Sequence, residues 1–326
     1  YAFMNKHIDK QKLLESLRLP VIGAPLFIVS TPKLVIEQCK SGIIGAFPAL
    51  NARKEDELEL WLKNISQELE AFKKNNPEKK VAPYAVNQIV HQSNTRLKID
   101  VEMCVKYKAP IVITSLRPPA EVVEAVHSYG GLVFHDVINM RHAKKAISQG
   151  VDGIIAVCAG AGGHAGTISP FALIKEIKEI FDGFVILSGS MSNGRDVLAA
   201  ECIGADLAYM GTRFIATKEA NAVDEYKDMI IDSDADDIVY SSLFTGIHGS
   251  YLKGSIVKSG IDPENLELGD KNTMNFDSSE SKAKAWKDIW GAGQGVGSMK
   301  DIPNVSDLVD EIEHDYNSTK TKIISN

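Results

Sequence analysis

Residues 153–181 read GIIAVCAGAGGHAGTISPFALIKEIKEIF: an apolar strand, a glycine-rich turn and a helix in immediate succession. Gly153, Ile154, Ile155, Ala156 and Val157 make a short unbroken apolar run, the pattern of a buried strand. After Thr167-Ile168-Ser169-Pro170 the apolar positions from Phe171 to Phe181 recur with helical spacing. Between them lies AGAGGHAG, in which His164 is the only side chain with acid–base chemistry. A turn of this kind lets backbone N–H groups approach an anion or a flat ring. A Cβ would block both that approach and any positive φ angle. An imidazole planted there can hydrogen-bond, position or deprotonate whatever the turn holds. Glycine also serves plain strand-to-helix packing, so the turn alone supports either reading.

The same unit repeats on both sides. Apolar strand candidates at 19–24, 43–47, 81–86, 111–114, 132–135, 153–157, 184–188 and 207–210 alternate with helical stretches, notably 55–73, 120–128, 140–149, 170–181 and 194–203. Gly42, Gly130, Gly150 and Gly204 stand just ahead of the next strand and suit the position after a helix end. Eight such units in the first two-thirds of the chain are the count for a closed (β/α)8 TIM barrel. A doubly wound open sheet is the alternative; the lack of GxGxxG after the first strand counts against it.

The barrel is expected over 19–231, with 221–231 as its last helix. Residues 232–303 are rich in Gly, Ser and Asn and too long for an empty loop. They are expected to form a lid or small subdomain over the barrel, with helix at 279–290 and docking through Leu243, Phe244, Trp286 and Trp290. A closing helix (305–316) and tail occupy 304–326.

The chain has 326 residues, 44% hydrophobic and 24% charged, with a net charge of −7. That is the composition of a globular enzyme and not of a phosphate-backbone binder, so no nucleic-acid partner is expected. Apolar runs are far too short to cross a bilayer, and charges spread through 6–18 speak against a signal peptide. The expectation is no membrane partner and a cytoplasmic location. Cys39, Cys104, Cys158 and Cys202 lack CxxC spacing and sit in apolar stretches, which reads as buried free thiols and no metal site. Trp61, Trp286 and Trp290 are left for late segments to bury, which leaves a homodimer open.

In such barrels the site lies at the C-terminal ends of the strands. After the first strand comes Ala24-Pro25-Leu26, small and apolar, suited to lie against a planar ring. The third delivers Asn87, an amide for a carbonyl or a ring nitrogen. The sixth gives the glycine turn with Ala161, Gly162, Gly163 and His164. After the last two stand Gly189-Ser190 and Gly211-Thr212, and small, N–H-rich loops at that place are the usual phosphate grip. Together these loops point to a phosphorylated planar cofactor.

AGAGGHAG, LSGSMSNGRDVLAA and GADLAYMGTRF together resemble the nitronate monooxygenase family, formerly called 2-nitropropane dioxygenases, from about Leu19 to the C-terminal helix. The resemblance implies an FMN-dependent (β/α)8 barrel that oxidises alkyl nitronates with molecular oxygen. It makes His164 the catalytic histidine and sets the flavin against Ala24, Pro25 and Leu26, with Asn87 nearby. Ala161, Gly162 and Gly163 then meet the cofactor through backbone, and Gly189, Ser190, Gly211 and Thr212 hold its phosphate. Gln294 in WGAGQGVG resembles a family segment that folds back toward the flavin.

Two departures stand out. Some relatives carry a lysine shortly after the histidine at the end of the fifth strand, where this chain has His135-Asp136. Relatives also often carry glutamine and glutamate near the glycine turn, where this chain has Val157-Cys158-Ala159. The first removes a cation and counts against quinone reduction; the second makes the pocket apolar and small-sided.

His164 as a cation would pair with nitronate oxygens; neutral, it would take the α-proton of a nitroalkane. The rival on the same barrel is NAD(P)H-dependent reduction of a quinone or an enoyl thioester. From other classes come a non-catalytic flavin-binding or phosphate-binding barrel, which His164 speaks against, and a phosphosugar isomerase-type barrel. The isomerase needs carboxylates or lysines at strand ends, and the chain offers Asp136 alone. His248, Tyr240 and Tyr251 either close over the pocket or pack a surface subdomain, and Arg213 either reaches a phosphate or forms a structural ion pair. His91, His127 and His142 read as surface residues without a role.

Overall fold

The computed structural model describes residues 6–269 and 287–326. Strands β1 (Val21–Gly23), β2 (Ile44–Pro48), β3 (Tyr84–Val90), β4 (Ile111–Leu116), β5 (Leu132–Val137) and β6 (Gly153–Val157) lie side by side in chain order. A two-residue strand, β7 (Gly163–His164), stands outside the barrel; β8 (Phe184–Ser188) and β9 (Leu207–Met210) complete it. All eight barrel strands run parallel, and β9 closes the ring on β1 with Ile22 opposite Tyr209. The eight expected strands are all present in a (β/α)8 barrel. The third is displaced: it begins at Tyr84, because Pro83 has no N–H for the ladder, and it continues through polar Asn87-Gln88.

Alternate residues sort into two layers. Ile22, Ile44, Ile111, Ile113, Phe134, Ile155, Phe184, Ile186 and Leu207 fill the inside. Val21, Val86, Val112, Val133, Ile154, Val185 and Ala208 face the helical ring. Burial on both faces is why these strands read as continuous apolar runs. The ring comprises α2 (Pro32–Lys40), α3 (Glu57–Asn75), α4 (Leu97–Lys106), α5 (Ala120–His127), α6 (Met140–Ser148), α7 (Pro170–Ile180) and α8 (Gly194–Cys202). A single turn, α9 (Thr212–Ile215), and α10 (Asp224–Asp232) follow the last strand. Ahead of the barrel, α1 (Lys6–Ser16) sets Leu13 and Leu14 against the lower end of the inner core. Gly42, Gly130, Gly150 and Gly204 all take positive φ angles, as their places after helices require.

Beyond α10, β10 (Ile238–Ser241) and β11 (Gly249–Leu252) pair antiparallel, and β11 pairs in turn with β7, placing Gly249 opposite His164. A short α11 (Lys253–Lys258) follows, and α12 (Val305–Ile324) runs on well past residue 316 and packs against α8. Trp286 and most of the helix expected at 279–290 lie outside the described residues. Of the docking residues that are described, Phe244 meets Tyr251 edge-on and Trp290 is buried. Cys39, Cys104 and Cys158 are buried, whereas Cys202 is exposed. The apolar stretch around Cys202 is helical, and only one face of α8 meets the sheet. Among the described residues no helix is long and apolar enough to cross a membrane.

Candidate active site

A cavity of about 430 Å³ opens at the C-terminal ends of the strands. It brings together Ala24, Pro25 and Leu26 after β1, Asn87 on β3, and Ala161, Gly162, Gly163 and His164 after β6. Gly189-Ser190 after β8 and Gly211-Thr212 after β9 complete the circle, so every residue singled out for cofactor or catalysis borders one space.

Each wall has a local cause. The β1 loop is stapled by Asn51, which accepts from Ile28 N (2.9 Å) and donates to Leu26 O and Ser30 O (3.0 and 2.8 Å). A Cβ on Gly211 would come within 3.2 Å of Leu26 and 3.4 Å of Ala24, so glycine there keeps this wall flat. At Gly189 and Ser190 φ is +149° and +56°; the left-handed serine is held by its hydroxyl, which donates to Gly160 O (3.1 Å).

The segment 289–299 lies across the cavity as a strap. Gln294 N donates to Gly160 O and Gly293 N to Thr212 Oγ1, both at 2.9 Å. Trp290 stacks on Tyr226 at 5.0 Å with the rings 3° from parallel. A Cβ on Gly162 would sit 2.8 Å from Gly293 N, so the strap's seat depends on glycine in the turn. The strap thus folds back as the resemblance implies, but it lines the cavity through Trp290, Gly291, Gly293, Gly295 and Met299, with Gln294 behind them.

His164 is held from outside the barrel. Its Nε2 lies 2.7 Å from Thr245 Oγ1, and Thr245 donates its hydroxyl proton to Ile247 O (3.1 Å). The contact holds the ring in place, and a neutral imidazole keeps one N–H and one lone pair. Burial pushes the imidazole down to about 4, so it is neutral at neutral pH, the form required of a base.

The floor is a polar layer on an apolar column. Asn87 Nδ2 donates to Ile113 O (3.1 Å) and Ser115 Oγ (3.0 Å), and Ser115 donates to Asp136 Oδ2 (2.6 Å). With both amide hydrogens committed, Asn87 meets a ligand only through its oxygen, as an acceptor. Burial pushes the Asp136 carboxyl up to about 6, against the opposing bond from Ser115. Ser188 and Tyr209 border the same floor.

Several residues take other places than expected. His142 lines the cavity, because α6 starts beside the end of β5 and carries its first turn toward the opening. His127 pairs with Asp152 at 2.6 Å and His91 with Ser93 at 2.8 Å. His248 stacks on Tyr240 at 5.1 Å and does not border the cavity. Arg213 is buried and donates to the Ala216 and Asp301 carbonyls, the structural alternative. Cys158 is a buried thiol pushed up to about 12, fit for packing and not for nucleophilic attack. Asn51, Thr245, Tyr226 and the strap backbone escaped the sequence reading, since long-range contacts alone give them their places.

A family model described as Nitronate monooxygenase matches residues 14–315. The chain belongs to the nitronate monooxygenase family. Membership makes it an oxidoreductase of the flavin-dependent kind. It is 25% identical over 274 residues to a probable nitronate monooxygenase of Staphylococcus aureus, covering 73% of this chain and 77% of that protein. Over 338 residues it is 22% identical to a protein of Rhodococcus jostii RHA1 named (3aS,4S,5R,7aS)-5-hydroxy-7a-methyl-1-oxo-octahydro-1H-indene-4-carboxyl-CoA dehydrogenase, covering 91% and 92%. The nitroalkane oxidase structure from Streptomyces ansochromogenes matches with a TM-score of 0.77 at 21% identity, covering 95% of this chain and 99% of that one, which shows a shared barrel fold.

Proposed function

We propose that this nitronate monooxygenase family member is an FMN enzyme that oxidises alkyl nitronates and nitroalkanes with molecular oxygen to a carbonyl compound and nitrite. The observation that carries the proposal is the neutral His164, held by Thr245 on the wall of a cavity bounded by three small-residue strand ends.

The residues present fit the cofactor. Ala24, Pro25 and Leu26, with Gly211 opposite, make a flat wall for an isoalloxazine ring. The Asn87 oxygen suits a ring N–H, and Ala161, Gly162 and Gly163 offer backbone edges. The phosphate falls to the loops of Gly189-Ser190 and Gly211-Thr212, the second at the start of α9. No lysine or arginine borders the cavity among the described residues, so backbone N–H groups and hydroxyls would hold that phosphate. FMN bound there would supply electron acceptance from the substrate carbon and onward transfer to oxygen.

The chain's own part is proton transfer and exclusion of water. His164 takes the α-proton of a nitroalkane on its unprotonated nitrogen, leaving nitronate and imidazolium side by side. Thr245 keeps the ring from turning. We assign the described residues of 232–303 the part of a lid, the strap shielding the cavity from solvent.

The test is an absorbance spectrum of the purified protein, followed by anaerobic addition of a nitronate. Two visible flavin bands that bleach with substrate are expected; a colourless protein that refuses added FMN would refute the reading. His164→Asn should keep the yellow colour and lose about 10²–10⁴-fold in turnover of nitroalkanes, the usual worth of a general base. A second reading, enoyl-thioester or quinone reduction by NAD(P)H, draws on the carboxyl-CoA dehydrogenase likeness and predicts instead rapid bleaching by NADH or NADPH.

A further inference from the structure

The cavity floor holds a charge that this chemistry does not use. Every second residue of β4 and β5 points into the barrel, and Ile111, Ile113 and Phe134 are apolar. Ser115 and Asp136 occupy the top of the same two columns and border the cavity. Asp136 therefore rests on hydrocarbon, with one carboxyl oxygen held by Ser115 at 2.6 Å and the other, Oδ1, buried without a hydrogen-bond partner among the described residues.

Among the described residues nothing that borders the cavity offsets it. The titratable groups that border the same cavity are His142 on α6, His164 on β7, Tyr209 on β9 and Tyr226 on α10. The strands flanking β5 present Ser115 and Val157. Burial lowers both histidines and raises both tyrosines, so at neutral pH none of the four supplies a cation.

Building on the proposed oxidation of nitro compounds, we infer that Asp136 selects the charge of the substrate: the cavity admits a neutral nitroalkane freely, and an anion, nitronate included, only together with a proton taken up on Asp136. Two negative charges in one water-poor space repel far more than in bulk water, and protonating the carboxyl is the readier relief, since the His164 imidazole is pushed lower, to about 4. A neutral nitroalkane avoids the conflict, because the imidazolium formed when His164 takes its proton balances the nitronate formed in the same step. Asp136 is thus a specificity-determining residue, and burial has already pushed its carboxyl up to about 6 before any anion arrives. The relief is cheap in mild acid and costly in base.

Inorganic nitrite, an inert anion of the right shape, is the probe. Its binding to the purified flavin-loaded protein is followed by calorimetry in two buffers of different ionisation enthalpy, from about pH 5 to about pH 8. Wild-type protein should take up close to one proton per nitrite at neutral pH, and its affinity should fall by up to about tenfold per pH unit above the carboxyl's midpoint. Asp136→Asn should bind nitrite without uptake and with a flat pH dependence. The inference is overturned by wild-type binding without proton uptake, by no binding even in mild acid, or by an Asp136→Asn protein that keeps the uptake. The wild-type proton count stands whether or not the variant folds, and repeating it in His164→Asn and His142→Gln assigns the proton: uptake kept in both leaves Asp136 as its carrier, and uptake lost in either overturns the inference. The count is also independent of turnover: proton uptake in a protein that oxidises no nitro compound would sink the proposed function and leave Asp136 its role.

Discussion

His164 and Asp136 both line one cavity, each half-buried, and loss of water around them moves them in opposite directions along the pH axis. His164 is pushed down to about 4, so the native chain stays neutral there while an unfolded chain would protonate. Its burial therefore costs stability only as the pH falls below the ordinary histidine value. Asp136 is pushed up from 3.8 to about 6, so the native carboxyl keeps its proton where the unfolded one has lost it. Its penalty is absent at low pH, grows between those values, and is full above the higher one. Asp136→Asn should accordingly be more stable than wild type in mild base, on the order of 1–3 kcal/mol, after a discount for the side of the residue that faces the cavity. That advantage should vanish as the pH approaches 4, and thermal melts of both proteins across the range check it. Of these two residues the sequence marked His164 by its turn, but showed Asp136 only as a lone acid at a strand end. Whether that acid was solvated or set on hydrocarbon depended on residues from other strands.

Among the elements, β7 is the smallest and the most consequential. Two residues of the glycine turn become a strand only because β11 lies alongside, and the hairpin loop before β11 supplies Thr245 to the imidazole. A Cβ on Gly249 would sit 2.9 Å from Gly163 O and equally close to the Tyr251 hydroxyl, so Gly249→Ala must push the two strands apart. Steady-state turnover of nitroalkanes should drop by about tenfold or more, since small misplacements of a base are costly, while the flavin spectrum remains. Unchanged turnover would mean that β11 does not position His164. The eight barrel strands were legible because they are short apolar runs, four of them preceded by a helix-end glycine. β7 and the strap were not, because Gly163, Gly291 and Gly293 carry no periodic signal and owe their shape to what they pack against.

For the molecule as a whole, the last helix closes what the barrel leaves open. α12 crosses the start of α8 so tightly that a Cβ on Gly194 would lie 2.1 Å from Ile312 O and 2.3 Å from Tyr316 N. Gly194→Ala should lift α12, cost about 1–3 kcal/mol as overpacking does, and lower the thermal midpoint by several degrees. A melt identical to wild type would show that this contact relaxes without cost. The amino-acid sequence by itself determined the barrel, its strand count and the ring of small residues at its mouth, because strand burial and turn geometry are local demands written as apolar runs and glycines. Only the tertiary structure decided that Thr245 holds the His164 imidazole, that Asn87 can only accept, and that Asp136 stands unneutralised. Those properties belong to partners brought together from distant parts of the chain, and their energies depend on how much water the assembled walls leave behind.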